Sequence, residues 1–273
     1  MTTARDKFWM FGVRAHQDDS LLHGWRGARN GSQITPAEGA LMLDVPNMIM
    51  VNCDGIPVPF STHAIQYCES FCTMQKVLWG ATGSGGFRVG NEEAFICQLA
   101  EKYPNITGAF MDDFFGKFRS AADGERQAQV LLQTIRAGLD AACRPLELHV
   151  VWYTHEVSAV PKAVFDYIDG LTLWTWNSKE LPQLEKRFEQ IEKDFPRHQK
   201  MLGIYMYDFS NRQPVETSLM EHQCELGLRL LQEGRLDGMI FEANSVMGVG
   251  LPSELWLRDW LRTAKHVKVP SGR

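Results

Sequence analysis

The chain has no Cys-x-x-Cys pair, no cluster of Lys and Arg, no Gly-x-Gly-x-x-Gly fingerprint and no apolar run near the ~20 residues that a membrane span needs. Each absence removes a class of function. Without paired cysteines neither a zinc ribbon nor a disulfide scaffold is expected. Cys53, Cys68, Cys72, Cys97, Cys143 and Cys224 lie scattered in apolar or helical context, and they read as reduced thiols at small core positions. Cys68 and Cys72 share a helix face, but no nearby His completes a metal set. A formal net charge of -5 leaves no basic face for a nucleic acid, because counterion release needs one. The N-terminal MTTARDKFWMFGV carries no apolar core followed by a small-residue cleavage site, so a cytoplasmic protein with no membrane partner is expected. No cofactor is implied, and the oligomeric state is left open.

What remains is a chain with 44% hydrophobic and 22% charged residues, the composition of a globular protein. Its pattern alternates. Short β-rich runs (FWMFGVRA, NMIMVN, KVLWGAT, ITGAFM, LELHVVWY, DGLTLWTW, KMLGIYMY, DGMIFEA) are separated by amphipathic runs such as PAEGALML, NEEAFICQLAEK, GERQAQVLLQTIRAGLDAAC and VPKAVFDYI. Pro36 marks one helix start and Asn91 is the expected N-cap of another. Eight strands and eight helices in alternation require parallel pairing through right-handed crossovers. A chain of 273 residues is close to the size of one closed barrel. The expected fold is α/β, a single (β/α)8 TIM barrel, with residues 1–273 as one domain. An open doubly wound sheet is the rival, but its phosphate fingerprint is missing. The Gly-rich TGSGGFRVG (82–90) reads instead as a mobile active-site loop.

Barrel chemistry collects at the carboxyl ends of the strands. There the sequence places His16, Asn52, Asp112 and Asp113, Trp152, Tyr153, His155 and Glu156, Trp174, Trp176 and Asn177, Tyr207 and Asp208, and Glu242 and Asn244, whereas the opposite rim reads as turn dipeptides. Side chains alternate along a strand, which turns Asp112, Trp174, Trp176 and Glu242 inward. A cavity floored by acids and walled by Trp and Tyr suits a sugar, whose ring faces stack on aromatics and whose hydroxyls need fixed partners such as His16, Asn52 and Asn177. Trp152, His155, Trp174, Trp176, Tyr207 and Asn244 complete the candidate substrate-binding set. Glycosidic cleavage needs two separated carboxylates. Asp112, with Asp113 beside it, supplies one, and Asp208 or Glu242 supplies the other.

The runs GAFMDDFF, LGIYMYDF and DGMIFEAN resemble the strand ends of glycoside-hydrolase-like (β/α)8 barrel proteins, a poorly characterised group among them. The resemblance implies an acid/base on strand four, at Asp112 or Asp113, and a second carboxylate at Asp208 or Glu242. The paired Asn-Glu of one large group and the DxxDxDxE of another are absent.

Structural readings stand beside these. Asp113 is also a natural N-cap, Asp208 a turn former or a partner of Arg212, His16 a core histidine, and the two Trp core filling. Two other functions compete with the hydrolase. In one, Glu156, Asp208, Glu242 and a histidine hold a divalent cation in a sugar isomerase or epimerase. In the other, the barrel binds sugar without turnover.

Overall fold

The computed structural model describes residues 2–15, 22, 31–116, 118, 121–156 and 162–271, the first three of the last range by backbone only. Eight parallel strands form a closed barrel: β1 Phe8–Gly12, β2 Asn47–Met50, β3 Lys76–Thr82, β4 Ile106–Met111, β5 Glu147–Tyr153, β6 Gly170–Trp174, β7 Gln199–Tyr205 and β8 Gly238–Glu242. Closure is made by β8, which pairs with both neighbours and sets Glu242 opposite Phe11 on β1 and Tyr205 on β7.

Seven α-helices surround the barrel among the described residues: α1 Pro36–Leu43, α2 Thr62–Ser70, α3 Glu92–Lys102, α4 Gly124–Leu139, α5 Leu184–Asp194, α6 Thr217–Gln232 and α7 Pro252–Ala264. The helix expected between β5 and β6 is instead a 3-10 turn, Lys162–Tyr167. Here Phe165 stacks on Trp152 at 4.3 Å, so one aromatic plate covers β5 where a longer helix would otherwise lie. Helix starts follow local chemistry. Thr35 and Glu38 form a capping box around Pro36, with Glu38 accepting the Thr35 amide at 2.8 Å. At α3 the Asn91 side chain makes no cap bond; the Glu92 carboxylate instead fastens the segment that leads into the helix, accepting the amides of Val89 and of Gly90 (2.9 Å).

Alternation sorts the strands into two faces. Phe8 and Phe241 pack together on the outer face, where Phe8 meets Trp260 of α7, while inside Phe11 meets Phe110 and Trp174 with centroids 5.9 and 5.5 Å away. Trp174 lies flat across the interior only because position 203 is glycine: a Cβ there would come within 2.0 Å of the indole. Outside the barrel, Thr2–Thr3 pairs with Lys268–Val269, and a hairpin of Tyr207–Asp208 with Gln213–Pro214 follows β7. None of the six cysteines forms a disulfide, but only Cys53, Cys68 and Cys224 are buried; Cys72 and Cys143 are exposed, which corrects their reading as core residues. Among the described residues no helix is long and apolar enough to cross a membrane.

Candidate functional site

A cavity of about 100 Å³ opens at the carboxyl ends of the strands, lined by Phe11, Ser84, Asp112, Asp113, Val151, Tyr153, Trp174, Trp176, Tyr205, Phe209 and Glu242. Asp112 shares the inward face of β4 with Phe110 and is only 7% exposed. Burial, then the neighbouring charge of Asp113, pushes its carboxyl well above the usual range, so it favours the protonated acid. Asp113 takes a left-handed backbone (φ 45°), which turns its side chain back into the mouth. One of its oxygens accepts the Tyr153 hydroxyl at 2.6 Å and the other the Gly85 amide at 2.8 Å. The Asp113 amide in turn donates to Asp112 Oδ1 at 3.0 Å. Two adjacent carboxyls therefore sit in opposite environments, one stripped of water and one supplied with donors.

Glu242 enters the cavity from β8, and the peptide bond after it, to Ala243, is cis. Tyr205 links the two sides. Burial first, then the charges of Glu242 and Asp112, pushes its phenol well above its ordinary value, and the phenol hydrogen-bonds with that of Tyr153. Tyr153 is raised in the same way, by burial before any neighbour, so both remain protonated donors. Aromatic rings complete the walls. Trp174 is the floor, its indole N–H donating to Thr172 Oγ1 at 2.9 Å. Trp176, 40% exposed, packs edge-on to Tyr153 and stacks on Phe209.

The remaining expected residues lie elsewhere. Trp152 faces outward between Phe165 and Phe195, away from the cavity, as its place one residue before inward-facing Tyr153 requires. Asp208 is buried beneath the 178–183 turn, accepting the amides of Ser178 (3.1 Å) and Asn211 (2.9 Å), the Asn211 side chain (2.8 Å) and the Ser178 hydroxyl. Burial alone would raise its carboxyl, but these donors outweigh it and hold it below the usual range. Tyr207 is buried in the hairpin after β7. Asn177 accepts the Lys179 amide and the Asn211 side chain, both at 3.1 Å. Asn244 is fully buried and bonds both Val13 backbone groups and the Ile34 carbonyl at 2.7–2.9 Å, joining β8 to the segments after β1. His155 stands exposed at the rim, stacked on Tyr153. Asn52 is 8% exposed; it donates to the Pro57 carbonyl, and its Oδ1 takes no hydrogen bond from the described residues. His16 lies outside the described residues. Of the candidates, then, Asp112, Asp113, Trp174, Trp176 and Glu242 come together.

Two cavity tyrosines were not in the expected set. Tyr205 is the last residue of β7, two before Tyr207, and Tyr153 is the last residue of β5. The face shared with Asp112 was the signal that identifies both.

A wider polar cleft of about 600 Å³ opens at the opposite end of the barrel, so that rim is more than turn material. Inside it, Glu147 is held down to about 2, first by its hydrogen bond with buried His149 and despite its own burial. It has none of the stacked aromatic walls of the carboxyl-end site. Among the described residues no group of three or more His, Cys, Asp or Glu is arranged to hold a metal ion.

The barrel is similar to those of several solved enzymes. A beta-D-glucuronidase from Dictyoglomus thermophilum is 9% identical, with a TM-score of 0.57 over 99% of this chain and 54% of that one. The GH99 endo-alpha-mannosidase from Bacteroides thetaiotaomicron is 8% identical, with a TM-score of 0.54 over 95% and 98%. An aldolase, QR15, is 10% identical, with a TM-score of 0.53 over 96% and 100%. Glycoside hydrolases thus stand among the structural neighbours beside an enzyme of different chemistry, and identities this low speak to the barrel alone. No protein-family model and no curated protein matches the chain.

Proposed function

We propose that this protein is a carbohydrate-active enzyme that hydrolyses a glycosidic bond at the carboxyl end of its barrel. The observation that carries the reading is that Asp112 and Glu242, from β4 and β8, line one cavity walled by Tyr153, Trp174, Trp176, Tyr205 and Phe209. Asp112, kept protonated by burial, gives its proton to the leaving oxygen as the anomeric C–O bond breaks. Glu242 supplies the second carboxylate, which attacks the anomeric carbon or takes a proton from the attacking water. Asp113, held by Tyr153 and Gly85, stays an acceptor beside the reacting centre for a sugar hydroxyl. The aromatic walls take the apolar faces of the ring. Six cysteines without a disulfide fit the reducing interior of a cell.

A panel of chromogenic α- and β-glycosides of hexoses, fucose and glucuronic acid tests this. Turnover by the wild type should fall at least about 1000-fold in Asp112→Asn and in Glu242→Gln, with folding retained. A cleaved glycoside whose rate is indifferent to both substitutions would remove the assignment.

A further inference from the structure

Eight large apolar side chains stand exposed among the described residues, and their distribution is uneven. Leu41, Val130 and Leu255 lie singly on α1, α4 and α7. The other five, Val58, Phe60, Phe87, Val89 and Trp176, all sit in loops at the carboxyl ends of β2, β3 and β6. Single exposed apolar residues are ordinary, but a concentration at the mouth of a site is not.

The loops that carry four of them are built as one piece. The Ser84 amide donates to the Asn52 carbonyl at 3.0 Å, the Gly83 amide to the Phe87 carbonyl at 2.9 Å, and Cys53 and Ile56 exchange two backbone bonds. Gly83 sits so close to Asn52 that a Cβ would come within 1.9 Å of its carbonyl oxygen. Arg88 turns inward, bonding the Ala81 carbonyl at 3.0 Å and Glu93 at 2.6 Å. Its neighbours Phe87 and Val89 are thereby left facing water, at 46% and 48% exposure. The Phe87 ring lies over Gly55, where a Cβ would be 3.3 Å from it. The same loop reaches the site: Ser84 lines the cavity, and the Gly85 amide holds Asp113.

We propose that this ledge seats an apolar aromatic aglycone, so that the substrates are aryl glycosides or glycosides of a similarly flat, hydroxyl-poor group. The inference rests on the glycosidase reading above. Another sugar unit is a poorer occupant: in the cavity Asp113, Tyr153, Tyr205 and Glu242 stand among the aromatic walls to meet its hydroxyls, whereas the side chains of Val58, Phe60, Phe87 and Val89 offer only apolar surface. The flat apolar group lies on Phe87 and Val89 while the sugar occupies the aromatic cavity, and the scissile oxygen falls between them beside Asp112 and Asp113.

The test uses the full chain, with Phe87→Ser and Val89→Ser as variants, Phe87→Tyr as rescue and Leu255→Ser on α7 as control. The first readout is fluorescence titration with 4-methylumbelliferone alone. It should bind the wild type and Leu255→Ser alike, weaken about tenfold in Phe87→Ser, the size of one aromatic contact, and recover in Phe87→Tyr. Equal binding to wild type and Phe87→Ser, or none to either, overturns the proposal. The second readout is the ratio of kcat/KM for p-nitrophenyl over methyl glycosides of one sugar, expected to fall about tenfold in Phe87→Ser. If glycosides are cleaved with that ratio unchanged, the ledge fails and the catalytic reading stands. If none is cleaved while 4-methylumbelliferone binding depends on Phe87, the ledge stands and the catalytic reading fails. A dimer that Phe87→Ser converts to monomer in sedimentation assigns the ledge to self-association and overturns the proposal.

Discussion

Tyr153 donates its hydroxyl to Asp113 at 2.6 Å across 40 positions of sequence, and the Gly85 amide meets the other carboxylate oxygen at 2.8 Å. Asp112, one residue away, receives only the Asp113 amide among the described residues, and it is little exposed to water. Like charges side by side are tolerated here because one carboxyl is solvated by the protein and the other is kept protonated by burial.

Removing the tyrosine hydroxyl should expose that division. Tyr153→Phe is expected to lower kcat about 10- to 100-fold, the range of one hydrogen bond to a charged group, with KM changed little. A folded Tyr153→Phe variant that keeps the wild-type kcat would leave Tyr153 a packing residue only.

Asp112 makes a pH prediction with a definite sign. Its folded carboxyl lies above its unfolded value, so between the two the native state binds more protons and stability declines as pH rises. Asp112→Asn should remove that slope and raise the thermal midpoint at pH 7 by about 2–4 °C for each kcal/mol regained, while activity is lost. In the wild type, activity that depends on the protonated form should fall as pH rises through the folded value. A midpoint at pH 7 that drops in Asp112→Asn would contradict this account of burial.

Asp208 should behave in the opposite way. Its carboxyl is held below the ordinary value, so its contribution is present above about pH 3.9 and is lost as pH falls through the folded value. Asp208→Ala leaves Ser178 and Asn211 without their acceptor and should cost about 1–3 kcal/mol in urea unfolding at pH 7. Below the melting temperature kcat should stay within about twofold, well short of the loss that general acid–base catalysis supplies. A large kcat loss in a stable Asp208 variant would return it to the chemistry.

Asn244 is expected to matter for closure. Asn244→Ala removes three hydrogen bonds, two of them buried, that tie the end of β8 to Val13 and Ile34, which should cost about 2–4 kcal/mol. Hydrogen exchange should then rise first at the amides of β1 and β8.

The barrel was legible because each strand and helix repeats its own period along the chain, and the inward turn of Asp112, Trp174 and Glu242 followed from the same alternation. Trp152 was misplaced although that rule, applied to it, sends it outward beside inward-facing Tyr153. Asp208 and Tyr207 were beyond reach for a different reason: β7 ends at Tyr205, and the hairpin through residue 214 turns both away from the strand's direction. Asn244 looked like a sugar partner because an amide serves a ligand and a backbone equally well. The 3-10 turn between β5 and β6 depends on Phe165 finding Trp152, a contact between distant positions that no local period announces.

The indole of Trp174 lies in the space that Gly203 leaves empty on the neighbouring strand. The depth of the pocket is therefore written in two positions that carry none of its acids. A lineage of such barrels could grow or shrink its guest by trading bulk between strands six and seven, while the proton-handling machinery on strands four and eight stayed unaltered.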